Sequence, residues 1–109
     1  MKPVLIPEYY PELEDLCRTV KDLVAGGDYE KSTELVLQAM KDYPDAPQPH
    51  NLLGILQEKE GEHLSAMRHF RAARELDPTY MPASENLNTY GTFFSRGSCA
   101  YDESDCTPA

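Results

Sequence analysis

The chain has 109 residues and carries 19 acidic against 10 basic side chains, a formal net charge of −9. That length allows one domain without a deep central core. The charge argues against a phosphate backbone or an anionic membrane surface as the main ligand, because both attract Lys and Arg. Neither nucleic acid nor membrane is therefore expected as a partner.

Residues 1–10 hold Pro3 and Pro7, which block a helix, among Val4, Leu5, Ile6, Tyr9 and Tyr10. They are predicted to form an extended strap over the edge of the first helix. The apolar run is too short for a signal peptide or a membrane span. Without export, the three cysteines are expected as reduced thiols in the cytoplasm, and their odd number fits no closed disulfide framework.

A first helix is predicted from Pro11, placed where its missing N–H costs nothing, to Ala25. Leu13, Leu16, Cys17, Val20, Leu23 and Val24 fall at the spacing of one buried stripe. Gly26 and Gly27 end it, and Asp28 can cap a second helix from Tyr29 to Asp42, stopped by Pro44. A third begins near Asp45, with Pro47 and Pro49 in its first turn and Gly54 in its middle. Glycine there costs about 1 kcal/mol relative to alanine, a loss that a closely approaching helix would offset. A fourth, about Glu62 to Leu76, is expected to bury Leu64, Ala66, Met67, Phe70, Ala73 and Leu76. A fifth, about Met81 to Phe94, turns Leu87, Tyr90 and Phe94 toward the fourth. Residues 95–109 have no helical period and are predicted to be a flexible acidic tail, dispensable for folding.

The chain repeats itself. Stepping back 34 residues carries Gly61 to Gly27, Ala66 to Ser32, Phe70 to Val36, Ala73 to Ala39 and Pro78 to Pro44. Leu53-Gly54, then Ala66 and Phe70, then Pro78 resemble the pattern of a tetratricopeptide repeat (TPR). His50 stands where that family usually has Trp, and Gln57 where it usually has Tyr. The resemblance implies an all-α chain of antiparallel helix-turn-helix repeats, stacked as a right-handed superhelical solenoid. Its repeat domain would span 11–94, with repeats at about 13–46 and 47–80 and a capping helix at about 81–94.

It also implies a non-catalytic interaction module that takes a protein or peptide in a concave groove lined by the first helix of each pair. Carried over residue by residue, that groove comprises Cys17, Lys21, Val24, Asn51, Ile55, Glu58, Lys59, Glu85, Thr89 and Phe93. The basic clamp with which some members grip a carboxylate terminus does not carry over, since the matching positions are Cys17, Lys21, Leu52, Glu85 and Thr89. Fewer than three full repeats leave a second reading open, a structural homo-oligomer whose partner is a second copy of the chain. No phosphate loop, dinucleotide fingerprint, zinc-protease motif or nucleophile elbow occurs, so no enzyme is expected. No cofactor is expected either. Cys99 and Cys106 are spaced unlike the close ligand pairs of structural zinc sites, and no metal is assigned to them.

Overall fold

The computed structural model describes residues 10–91 and 99–106. Among them lie five α-helices and one 3-10 turn, with no strand: α1 Pro11–Ala25, α2 Tyr29–Asp42, α3 Pro47–Lys59, α4 His63–Leu76, α5 Met81–Tyr90 and the turn Glu103–Asp105. The fold is all-helical. Residues 1–9 of the predicted strap 1–10, residues 92–98 and residues 107–109 lie outside the described residues.

The 34-residue recurrence seen in the sequence returns in the helix limits. α1 and α3 end at Ala25 and Lys59, and α2 and α4 match at both ends under the same offset. The turns between them are built alike. Asp28 N–H donates to Leu23 O at 2.8 Å and Gly27 N–H to Val24 O at 3.0 Å; Glu62 N–H donates to Gln57 O at 2.8 Å and Gly61 N–H to Glu58 O at 3.1 Å. Gly27 and Gly61 both sit at φ 83°, where an L side chain is strained. Asp28 then caps α2, its carboxylate accepting Lys31 N–H at 3.0 Å.

Such short connections fold each helix back on its predecessor. Consecutive helices therefore touch, while α1 also meets α3 and α3 also meets α5. The odd-numbered helices form one contiguous layer, α1 against α3 and α3 against α5, onto which α2 and α4 pack. α3 is central and touches every other helix. Accordingly it is apolar nearly all round, burying Pro47, Pro49, Leu52, Leu53, Gly54, Ile55 and Leu56. Gly54 shows why that position is glycine. A Cβ built there would stand 2.6 Å from Cε1 of the fully buried Phe70 ring, so α3 and α4 meet with the ring against bare backbone.

Some predicted limits and faces differ. α3 starts at Pro47 and not near Asp45, α4 starts at His63 with Glu62 as its cap, and the described part of α5 ends at Tyr90. Leu64 is 76% exposed instead of buried. It precedes Ala66 by two residues, more than half a turn around the helix, whereas α4 buries the stripe Ala66, Met67, Phe70 and Ala73. Leu76, the last residue of α4, is also exposed.

Candidate functional site

The odd-numbered layer does not face open solvent. Residues 99–106 lie across it and touch all three of its helices. On α3, Asn51 Nδ2 donates to Ala100 O at 3.0 Å. On α5, Asn86 Nδ2 donates to the same oxygen at 2.9 Å, and Asn86 Oδ1 accepts Ala100 N–H at 2.7 Å. Asn86 Nδ2 also reaches Asn51 Oδ1 at 2.8 Å, tying the two amides together. On α1, Lys21 Nζ pairs with Asp105 Oδ1 at 2.6 Å. Both asparagines are fully buried, where unmet amide groups would be costly. Their hydrogen bonds explain why polar side chains are tolerated there.

Around these polar contacts the packing is apolar. Cys99 and Tyr101 join the main core cluster with Cys17, Val20, Val24 and Ile55, and Leu87 and Tyr90 pack against it. Lys21 Nζ stands 5.9 Å over the centre of the Tyr101 ring, within cation–π range. Burial raises the phenol pKa of Tyr101 and of Tyr90, with the Cys99 thiol adding to both shifts. Beside the segment remains a cleft of about 740 Å³, bounded by Lys21, Lys59 and Tyr90 from the helices and by Cys99, Tyr101 and Asp105 from the segment.

The residues assigned to the groove from the sequence divide by environment. Lys21, Asn51 and Lys59 stand at the segment or its cleft. Cys17, Val24 and Ile55 are buried in the core beneath it. Burial pushes the Cys17 thiol up to about 12, against a smaller opposing effect of Tyr80, so it is held protonated at neutral pH. Glu58 turns away to His63, whose Nδ1 is 2.9 Å from its carboxylate. Glu85 and Thr89 are half-buried on α5, and Phe93 lies outside the described residues.

Sequence reasoning missed Asn86 and the docked segment itself. Far from being a loose tail, residues 99–106 contribute buried Cys99, Ala100 and Tyr101. The signals were present but short: an apolar triplet inside a polar stretch, and Asp102-Glu103-Ser104. Asp102 Oδ1 accepts Ser104 N–H at 2.9 Å to set the 3-10 turn, the self-bonding habit of aspartate in turns. The acidic cluster is turn chemistry and charge pairing. No family model, curated protein or solved structure matches the chain. No helix among the described residues is long and apolar enough to cross a membrane.

Proposed function

We propose that the chain is a non-catalytic protein-interaction module of tetratricopeptide repeat type. Its helical pairs stack with right-handed superhelical sense, and its odd-numbered helices receive an extended protein segment. The repeat reading draws support from the glycine turns at Gly27 and Gly61 and from the Gly54–Phe70 contact at the family's small and aromatic positions. The observation that carries the function is the pair of side-chain amides, Asn51 and Asn86, converging on the backbone of one residue, Ala100. Amides that address a backbone hold a chain by its main chain, and flanking pockets then select side chains, which is a general mode of peptide recognition. A cytoplasmic setting goes with this reading, since Cys17, Cys99 and Cys106 are all free thiols.

The test is a displayed peptide library panned against the full chain carrying Ala100→Arg and Asp105→Arg, changes confined to the docked segment. Selected peptides are expected to shift the NMR signals of Lys21, Asn51 and Asn86 and to lose binding when Asn86→Leu is added. Peptides that bind elsewhere, or none at all, would reject the groove. Solution mass of the parent checks the homo-oligomer reading alongside.

A further inference from the structure

The segment 99–106 is shaped as a ligand is shaped. Its backbone turns through Glu103–Asp105, and Asp105 Oδ2 accepts the Tyr101 N–H at 3.0 Å while Oδ1 is left for Lys21. Three side chains thereby meet the helices at once. Ala100 is 2% exposed, its backbone held by the two amides, a buried position that favours a small side chain. Tyr101 fills the apolar floor, and Asp105 reaches the cation of α1.

The bonds that hold it are also of an exchangeable kind. The amides of Asn51 and Asn86 recognise only a main-chain N–H and C=O, which any segment supplies. Lys21 keeps 49% of its side chain exposed, and ion pairs in water contribute little. No disulfide anchors Cys99 or Cys106. Emptying the groove would strand two buried amides, so it favours staying filled until another segment takes over. The open cleft beside Tyr101, with Lys59 on its rim, gives an acidic chain a place to enter.

We propose that residues 99–106 are a resident pseudo-ligand. The partner, on the groove reading above, is a protein segment that displaces them with the same three-point pattern: a small residue, an aromatic residue next to it, and a carboxylate four residues beyond the aromatic. The tethered segment competes at high effective concentration, so the partner binds the parent weakly and a released groove strongly.

The test measures fluorescence polarisation of a labelled peptide with the sequence of residues 99–106, carrying Cys99→Ser and Cys106→Ser. It is titrated with the full chain and with full chains carrying either Ala100→Arg with Asp105→Arg, or Tyr101→Ser alone. Circular dichroism confirms that each remains helical. The released chains are expected to bind about tenfold tighter or more, the tether no longer competing. Adding Asn86→Leu should abolish binding, and adding Lys21→Glu should reverse the preference toward a peptide carrying Asp105→Lys. Equal affinity for parent and released chains, or no binding by a helical released chain, overturns the inference. Library peptides that depend on Asn86 but lack the three-point pattern also overturn it while leaving the groove reading intact. If no groove-dependent peptide emerges, both fall. A parent dimer that disappears on releasing the segment makes the occupant a second copy and overturns it as well.

Discussion

Along α3, Gly54 brings the Phe70 ring of α4 against bare backbone; one turn earlier, Asn51 meets Asn86 and the carbonyl of Ala100. The first contact is dry and depends on shape. Any change in volume there must be absorbed by a close-packed interior. The second is polar and depends on direction, and a different chain with a free N–H and C=O can replace the present one. Thus the Gly54–Phe70 contact of α3 is committed to holding the fold, and the Asn51–Asn86 contact has the bonding of a binding surface. If the distinction is right, damage to the dry contact should unfold the whole helical stack. Damage to the polar contact should free residues 99–106 and leave the helices standing.

The largest effect is expected for Phe70→Ala. Truncating a fully buried aromatic costs about 3–5 kcal/mol, and because Phe70 also stacks on Tyr90 at 6.0 Å, α5 should loosen with α4. Urea unfolding followed by helical dichroism measures the loss. A variant within about 1 kcal/mol of the parent would mean that the α3–α4 contact is not the centre of stability, because buried aromatic truncations cost several times that.

Gly54→Leu should follow, at about 1–3 kcal/mol, by driving a side chain into the ring. The cost should shrink when Phe70→Leu makes room, so the two changes together should be less harmful than their sum. Strict additivity would show that Gly54 and Phe70 do not share one contact.

This committed half of the molecule was legible in the sequence because repeats declare themselves at a fixed interval. Gly27 with Gly61, and Val36 with Phe70, each restate the same local geometry. The limits of the first four helices followed from prolines and glycines to within a residue or two. Leu64 was misplaced because a lone apolar residue at a helix start fits a buried stripe by type though not by angle. The polar half was largely hidden. Lys21 and Asn51 were placed in the groove by the family resemblance, but nothing local ties Asn86 to Ala100, fourteen residues on. Long-range pairing of an amide with a backbone leaves no periodic trace. A stretch such as 95–109, with three Ser and two Asp, has the composition of a loose end even where three of its residues are buried.

At the polar contact, Asn86→Leu removes one of the two donors to Ala100 O and the acceptor of the Ala100 N–H, leaving that N–H unmet. The expected cost is about 1–3 kcal/mol. It should appear as faster hydrogen exchange at Ala100 and Tyr101, with α2 and α4 barely affected. Global unfolding of this variant at the same denaturant concentration as Phe70→Ala would erase the distinction between the two contacts.

A smaller effect comes from the Lys21–Asp105 pair. Burial alone would raise the Asp105 pKa, but hydrogen bonds from Lys21 and the Tyr101 N–H outweigh it and hold the carboxyl below its usual 3.8. A lowered folded pKa contributes docking that is present above the ordinary value and lost as pH falls through the lower one. The Lys21 pKa is raised, mainly by its bond to Asp105, so its contribution is present below 10.5 and fades as pH rises beyond it. Segment docking, read from the Tyr101 amide signal, should weaken at both extremes, and Asp105→Asn should remove the acid limb. An acid limb that persists in this variant would assign it to another carboxylate.

The smallest effect belongs to the α3–α4 contact, at the start of α3. His50 stacks on His69 with ring centres 5.7 Å apart, and its buried Nδ1 has no hydrogen-bond partner. Burial, and next the neighbouring His69, lower its pKa from 6.5, so the folded chain favours the neutral ring. The unfolded chain then binds more protons between the lowered value and 6.5, and stability in that window must rise with pH. It is fully present above 6.5 and lost as pH falls through the folded value. His50 is half-buried, so the melting temperature should drop only slightly between pH 7 and pH 5, and His50→Gln should flatten that drop. A drop that survives in His50→Gln would assign it to another group. In either case residues 99–106 should stay docked throughout this range, because the histidine pair sits at the α3–α4 contact while the segment is held by amides that do not titrate.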